Sequence, residues 1–521
     1  MRMLNKVFLF IFLFTFFTIS AQKLDAVRIE VPSNIDIDQY HVETIDDDGM
    51  IVFYESGEVN KEKKRKWYFS LFNIRLKQQW LKFVPLYDKM EYISLKRENG
   101  ELFFLFKNIN SERFEFGYYE IVIYNIKKQE FRQISGSIPL KAEVAGFGVI
   151  NNTACIALNL KKHETDVVFI DIMNGDVSPV HISEGVPGYI ETLYADKLNS
   201  NFYLVVKQNR DRRYITDHLL VYNKNGDLQS ELTLENNETI KYFRDFIFVS
   251  HSINELLIFG TYDILTGRTL SFKDIEEKKD ATNAGIFFMK IKNGMQELLY
   301  FYDFMSFDNI AGAIRLKDIS TIKLPDDSVS AMHNNKLIST SFSLSHPEVF
   351  ESEKGNYIFS ADAYRPYYRT ETRMDYDFYG RPYPYTYSVF SGYEFYDIII
   401  TGFSADGRLL WNNDMEISDI LSYSIKRNSV VFEDENYITM AYVNNGNVIS
   451  QTIEGPVDID KSKMKIGTNF PRDKVAIDKN NRIVSWYDDY FLIYGYQKLK
   501  NRTLGEQSPR TVFYANKIAY R

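Results

Sequence analysis

One segment of this 521-residue chain concentrates the residue types that bind other molecules. Nine tyrosines and four arginines fall between Tyr364 and Tyr393. Both residue types are enriched in binding hot spots, because they combine a large contact area with directional hydrogen-bond donors. The run from Pro382 to Tyr385 favours an extended backbone. The residues expected to contact a ligand are Tyr364, Arg365, Tyr367, Tyr368, Arg369, Tyr376, Tyr379, Arg381, Tyr383, Tyr385 and Tyr387.

An alternative structural interpretation of the same segment stays open. Residues 363–395 are longer than a simple connection requires, so they form either a binding loop or a long hairpin packed back over its own domain. In the second case the tyrosines cover apolar surface, and both roles are compatible with amphipathic aromatic side chains.

Catalytic and metal-binding patterns are absent from the sequence. Its seven histidines include no His-x-x-x-His pair, and no Gly-x-Ser-x-Gly motif occurs. Asp375, Asp377 and Gly380 have the spacing of a cation loop but lack the remaining oxygen ligands. Cys155 lies in an apolar strand pattern, which predicts a buried thiol and not a nucleophile. We therefore expect a non-catalytic protein without a metal or cofactor.

The beginning of the chain has the pattern of a secretory signal. Arg2 and Lys6 precede an apolar run over residues 7–19, and the small residues Ser20 and Ala21 follow. The run is shorter than the roughly 20 residues of a membrane span. We expect residues 1–21 to be a signal peptide and residues 22–521 to be a soluble, exported protein, periplasmic or extracellular.

Charge excludes one class of partner. The chain has 62 Lys and Arg against 70 Asp and Glu, a formal net charge of −8, and the signal segment holds only cations. An acidic exported protein is unsuited to nucleic acid.

A repeat of strands predicts the fold. Aromatic residues make up 16% of the chain, which favours strands. A Gly, Asn or Asp turn followed by an apolar run recurs eight times, and we interpret each run as the second strand of a unit. The runs are 50–54, 101–106, 153–158, 201–206, 256–260, 356–359, 436–440 and 490–494. A second motif places a tight turn after another apolar strand, at Asn174-Gly175, Asn225-Gly226, Asn293-Gly294 and Asp406-Gly407.

Four short strands per unit of about 50 residues are typical of a propeller blade. We predict an all-β fold, a single β-propeller of eight four-stranded antiparallel blades with a Tyr/Arg-rich loop insertion at about 363–395. The long interval between the repeats at 256 and 356 leaves seven or nine blades open. Only three strands remain at the end of the chain, so a strand at 26–31 should complete the last blade. The best helical candidates are short, at 308–318 and 415–423.

One short motif carries a resemblance to known families. Ser404-Ala405-Asp406-Gly407-Arg408-Leu409-Leu410-Trp411 resembles the sialidase Asp-box, although Gly407 directly follows Asp406 instead of standing two residues on. It is also similar to the outer hairpin of quinoprotein-type propellers, where the tryptophan docks between blades. Both resemblances cover eight residues of one blade, so they imply a blade and no active site. The adjacent cysteine pair usual in quinoprotein dehydrogenases is missing, since Cys155 is the one cysteine.

The general layout, a single exported propeller, resembles the plug-like periplasmic subunit of the type 9 secretion translocon. This resemblance implies an accessory subunit of an outer-membrane or envelope complex such as a secretion translocon. Its partner would be a protein, and the subunit itself would not span the membrane. Two alternatives remain: a glycan-active hydrolase or lyase with carboxylates and tyrosines around the propeller axis, and a carbohydrate-binding propeller that uses the tyrosines as stacking platforms.

Overall fold

Apolar and aromatic runs separated by Gly, Asn and Asp turns form strands over nearly the whole of the described chain. The computed structural model describes residues 27–519 except 34–38, 109–115, 183–184, 211–213, 237, 239, 266–269, 273–274, 276–281, 311–318, 324–335 and 341. The predicted signal peptide, residues 1–21, lies outside the described residues. Among those described, no helix is long and apolar enough to cross a membrane.

Eight sheets of four antiparallel strands follow one another along the chain. The first strand, β1, spans Val27–Pro32 and belongs to the last sheet. Blade 1 contains β2 (His41–Thr44), β3 (Met50–Val59), β4 (Lys64–Phe72) and β5 (Gln78–Tyr87). Blade 2 contains β6 (Met90–Glu98), β7 (Glu101–Asn108), β8 (Gly117–Asn125) and β9 (Glu130–Ile138). Blade 3 contains β10 (Glu143–Ile150), β11 (Thr153–Asn159), β12 (Thr165–Asp171) and β13 (Val177–His181). Blade 4 contains β14 (Gly188–Asp196), β15 (Asn201–Gln208), β16 (Thr216–Asn223) and β17 (Leu228–Thr233).

The second half of the chain repeats this arrangement with one insertion. Blade 5 contains β18 (Lys241–Ser252), β19 (Glu255–Ile264), β20 (Gly285–Lys292) and β21 (Met295–Asp303). A two-stranded sheet of β22 (Ile319–Lys323) and β23 (Lys336–Thr340) follows. Blade 6 contains β24 (Ser343–Glu351), β25 (Tyr357–Tyr376), β26 (Pro382–Phe403) and β27 (Leu409–Ser422). Blade 7 contains β28 (Ser429–Asp434), β29 (Tyr437–Asn444), β30 (Asn447–Glu454) and β31 (Val457–Lys465). Blade 8 contains β32 (Lys474–Ser485), β33 (Tyr490–Lys500), β34 (Arg510–Ala519) and β1.

The predicted eight-bladed propeller is confirmed. Each of the eight recurring runs lies in the second strand of its blade, and each Gly-containing motif lies between a third and a fourth strand. In the part of the long interval between the fifth and sixth repeats that the structure describes, β22 and β23 form the one additional sheet, and it has two strands instead of the four of a blade.

The prediction of a helix at 415–423 is wrong. Most of this segment belongs to β27, which pairs with β26. The ladder skips residues 417–419 between the pairs Asp397–Glu416 and Phe395–Ile420, and Asp419 has a φ of 57°. This irregularity turns the strand and produces an apolar spacing like that of a helix. The other helical candidate, 308–318, falls mostly outside the described residues.

Burial of both faces explains why the second strands are continuous apolar runs in the sequence. In β3, Ile51 and Phe53 pack towards blade 2, whereas Met50 and Val52 pack towards blade 8. Similar clusters fill every interface between consecutive blades. A strand buried on both faces needs apolar residues at every position, so its sequence does not alternate.

First strands contact one another between blades 2 and 3, 3 and 4, 4 and 5, 5 and 6, and 7 and 8, so the first strands are the inner strands around the propeller axis. Because each blade is an antiparallel meander, its connections fall on two faces. We call turn face the side with the connections from first to second and from third to fourth strand. We call loop face the side with the connections from second to third strand and from one blade to the next. Both recurring turn motifs of the sequence lie on the turn face.

The N-terminal strand closes the ring, as predicted. Strand β1 pairs with β34 from Val27–Lys517 to Pro32–Val512. Arg28 donates to Glu30 Oε1 at 2.8 Å and bonds to side chains of β33 and β34. On the other side of the seam, the Trp486 indole N–H donates to the Gly49 carbonyl of blade 1 at 2.8 Å.

Candidate functional site

Blade 6 carries a long hairpin on the loop face. Strands β25 and β26 remain paired from Tyr357–Phe403 to Tyr376–Pro382, whereas β24 and β27 cover them only as far as Tyr364 and Tyr393. We call residues 365–392 the tyrosine–arginine hairpin. No residue from 367 to 390 is buried. The predicted loop is thus an extension of two strands that stands clear of the blade.

One face of the hairpin carries a ladder of tyrosines and charges. The Tyr387 hydroxyl donates to Glu371 Oε2 at 3.0 Å, and Glu371 forms an ion pair with Arg369 at 2.5 Å. The Arg373 guanidinium lies 5.5 Å from the ring centroid of Tyr385 and 5.7 Å from that of Tyr387. These cross-strand contacts orient the side chains without burying them, so the hairpin is ordered and still exposed.

A tight turn organised by Asp377 forms the tip. Asp377 Oδ1 accepts from the backbone N–H groups of Tyr379 at 2.9 Å and Arg381 at 2.8 Å, and Gly380 has a φ of 73°. The Asp377 side chain therefore stabilises the turn through these hydrogen bonds. The aromatic side chains beside it project into solvent, with Phe378 96% and Tyr379 79% exposed.

The predicted binding residues divide between the base and the free part of the hairpin. Tyr364 is only 5% exposed and packs against Tyr393 and Phe395, so it belongs to the core of blade 6. Arg365 is half-buried and pairs with Glu394. Tyr387 is half-buried within the ladder. The other predicted residues are exposed: Tyr367, Tyr368, Arg369, Tyr376, Tyr379, Arg381, Tyr383 and Tyr385.

Two further sequence features have structural explanations. Burial of the Cys155 side chain in β11 raises the pKa of its thiol, as expected for a core residue. Trp411 packs against Gly402, where a Cβ atom would come within 2.3 Å of the indole, and it also approaches Gly455 of blade 7. The tryptophan after the Ser404 turn thus docks between two blades.

A second group of polar side chains lies near the propeller axis on the loop-face side, and the sequence did not indicate it. It combines side chains from four first strands, one second strand and the connection before blade 7. We call it the axial cluster: His41, Glu43, Tyr92, His346, Lys426, Arg482 and Tyr494.

Electrostatic effects between non-adjacent blades show that these groups converge. Burial, reinforced by the positive charge of Lys426, lowers the pKa of His41 to about 4. Burial raises the pKa of Glu43, although the Tyr92 hydroxyl donates to its carboxylate at 2.7 Å. Burial and then Arg482 lower the pKa of His346. Lys426 precedes blade 7 while His41 belongs to blade 1, and His346 and Arg482 belong to blades 6 and 8.

β-Bulges shape the wall around the axis. Six first strands of the described chain shift register at comparable positions, between the residue pairs Tyr92/Ser94, Val144/Gly146, Ile190/Thr192, Phe243/Phe246, Ser345/Glu348 and Lys479/Arg482. The inserted residues His346 and Asn480 have φ values of 44° and 53°. Bulges re-aim side chains, and positive φ at residues other than glycine stores strain that accompanies functional sites. The available sequence signal for this group was that five of its members lie shortly before four of the recurring runs: His41, Glu43, Tyr92, His346 and Arg482.

This chain is similar to solved structures at low TM-scores and low sequence identity. No protein-family model matches this chain, and no curated protein matches it. The β-propeller domain of the Trilobed protease from Pyrococcus furiosus is similar with a TM-score of 0.34 and 7% identity over 79% of this chain and 95% of that one. The WD40 domain of SCAP from fission yeast is similar with a TM-score of 0.31 and 10% identity over 85% of this chain and 94% of that one. Polysaccharide lyase Uly1 is similar with a TM-score of 0.36 and 9% identity over 82% of this chain and 89% of that one.

Proposed function

We propose that this protein is a non-catalytic binding module that engages a protein partner through the tyrosine–arginine hairpin. The observation that supports this is that no residue from 367 to 390 is buried and most are exposed, on a hairpin whose side chains already contact one another. Exposed aromatic groups of this extent mark interaction sites in soluble proteins. Preformed Tyr and Arg contacts reduce the entropy lost on binding.

Side chains of the hairpin, and not its outer edge, are the proposed contact surface. Pro382 and Pro384 lack the backbone N–H that a further strand needs, which opposes strand addition along this part of β26. The tip residues Tyr376, Phe378 and Tyr379 are at least 66% exposed and provide the anchor of the proposed interface.

The experiment is an affinity purification of the tagged full-length protein from detergent-solubilised envelopes. We expect a stoichiometric partner with the wild-type protein and at least a tenfold loss with the triple variant Tyr376→Ser, Phe378→Ser, Tyr379→Ser. The matched control replaces three exposed apolar residues of the turn face, Met173, Leu198 and Ile253, with Ser. Equal capture by the two triple variants, or a wild-type protein that purifies alone, contradicts the proposal.

The proposal includes export and an accessory role in an envelope complex such as a secretion translocon. Its support is the basic, apolar and small-residue pattern of residues 1–21. Mass spectrometry of the native protein should find a chain that begins at Gln22 in the periplasmic or extracellular fraction. A cytoplasmic protein that retains Met1 contradicts this part.

A glycan-active enzyme is the second candidate, and the axial cluster is the observation in its favour. A buried carboxyl with a raised pKa, Glu43, contacts a tyrosine hydroxyl beside a neutral imidazole. Such groups can move protons at neutral pH. A screen of acidic and neutral polysaccharides for new reducing ends or unsaturated products tests this candidate, with Glu43→Gln as the inactive variant.

A further inference from the structure

Two cations at the loop-face end of the axis lack an ionic partner. Arg482 Nη1 donates to the Arg427 carbonyl at 2.6 Å and to Asn428 Oδ1 at 3.0 Å. Its Nε and Nη2 atoms have no acceptor within the described residues, and neither Arg482 nor Lys426 has a carboxylate at ion-pair distance there. The neighbouring Arg427, by contrast, pairs with Glu348 at 2.6 Å and donates to Ser360 at 2.7 Å.

The segment that carries Lys426 is held in place by a buried carboxylate. Asp362 accepts from the backbone N–H groups of Asn428 at 2.6 Å and Ser429 at 3.2 Å, and also from the Ser429 hydroxyl. Asp362 is fully buried and accepts these bonds, and its charge favours the charged form of Arg482 from beyond ion-pair distance. Because Arg482 bonds to the same segment, its guanidinium and the backbone of the segment that carries Lys426 are held together before any ligand binds.

Charges of both signs act on the two cations at this end of the axis. Burial lowers the pKa of Lys426, and the positive charge of Arg482 lowers it further as a smaller effect. The charge of Asp362 acts on Arg482. The carboxylates that act on Lys426 are Glu91, which lies on the exposed surface, and Glu43, which the Tyr92 hydroxyl contacts. Both favour the charged form of Lys426 less strongly than burial and Arg482 oppose it. Within the described residues the two cations still lack a carboxylate at ion-pair distance, which suits them to an anionic ligand.

We propose that the loop-face end of the axis binds an oxyanion group, a carboxylate or a sulfate, with Arg482 and Lys426 as its ligand-binding residues. The free Nε and Nη2 edge of Arg482 matches two oxygen atoms of such a group, and the Lys426 ammonium supplies a second charge. The group belongs either to an acidic saccharide or to a free small anion. This site is independent of the partner surface on the tyrosine–arginine hairpin.

The test measures thermal stability and calorimetric binding of the full-length protein at constant ionic strength, with sodium chloride as the reference salt. The probes are sodium sulfate and a galacturonate tetrasaccharide. We expect a saturable rise in melting temperature with at least one probe, and at least a tenfold weaker affinity in Arg482→Gln. Lys426→Gln should bind the probe several-fold more weakly. This variant should still fold, because Lys426 is an exposed residue.

Arg408→Gln is the matched control, because Arg408 is an exposed arginine on the turn face that pairs with Asp406. It removes the same charge and should leave binding unchanged. Preference for the tetrasaccharide identifies an acidic glycan as the ligand class, and equal or better binding of sulfate identifies a free anion. The proposal is overturned if neither probe binds the wild-type protein, or if Lys426→Gln and Arg408→Gln bind equally well.

Discussion

His41 illustrates how an environment sets the chemistry of a single residue. Its ring stacks on Phe53 with 5.0 Å between centroids and lies edge-to-face with Tyr92 at 5.1 Å. Burial in this aromatic setting, with Lys426 nearby, keeps the imidazole neutral near pH 7. The same neutral ring can contact a ligand without adding charge to the axial cluster.

The lowered pKa of His41 predicts an acid-sensitive stability. A histidine whose folded pKa is about 4 binds fewer protons in the folded than in the unfolded protein between pH 4 and 6.5. Stability is therefore lost as the pH falls through this interval, by as much as about 3 kcal/mol. Urea unfolding of the wild type and His41→Phe across this range should show a shallower pH dependence in the variant.

Phe378→Leu provides the control for this measurement, because Phe378 is 96% exposed and does not titrate. Phe378→Leu should keep the wild-type slope. A His41→Phe protein with the same slope as the wild type would show that this imidazole does not resist protonation in the fold.

At the scale of elements, ring closure depends on two strands from opposite ends of the chain. Deleting residues 512–521 removes most of β34 and leaves β1 without its partner. We expect a loss of the cooperative thermal transition in this truncation. An unchanged melting temperature would mean that the ring does not need its closing strand.

Arg28→Met is the milder version of the same experiment. The substitution leaves the charge of Glu30 inside the seam with one fewer partner, since Arg510 also contacts Glu30 at 3.1 Å. Removing one member of a buried ionic network costs about 3–5 kcal/mol. Equilibrium unfolding in urea measures this loss, with the exposed Arg408→Met as the reference.

Removal of the tyrosine–arginine hairpin, unlike damage to the closing strands, should have little effect on stability. Replacing residues 367–390 with a short turn removes no buried side chain. The free energy of unfolding should therefore change by no more than about 1 kcal/mol. A loss of several kcal/mol, measured in the same urea experiment, would indicate that the hairpin packs on its own propeller, the alternative that the sequence left open.

At the scale of the whole molecule, the two faces of the ring have different roles. The turn face contains tight connections, while the hairpin and the axial cluster lie towards the loop face. Inserting a small folded domain after Asn445, a loop-face turn of blade 7, should obstruct partner capture. The same insertion after Glu435, a turn-face position of that blade, should not. Capture that is lost only with the Glu435 insertion would reverse this assignment, and thermal transitions check that both proteins fold.

The sequence by itself determined the architecture, because the signals for it are local. A Gly or Asn with positive φ, such as Gly175 or Asn151, and a run buried on both faces appear in consecutive residues whatever the rest of the chain does. The repeat therefore predicted the eight second strands and the closing strand. Local pattern failed at 415–423, where pairing with β26 and an irregular ladder overrode the helical spacing.

Tertiary structure alone decided the candidate sites. His41 lies in blade 1, whereas Lys426 precedes blade 7 and Arg482 lies in blade 8. Only closure of the ring brings these three residues to one axis. Likewise, Tyr364 and Tyr367 look equivalent in sequence, yet flanking strands bury the first and end before the second. Turns and strands follow from neighbouring residues, whereas burial and charge at a site follow from which distant segments are packed around it.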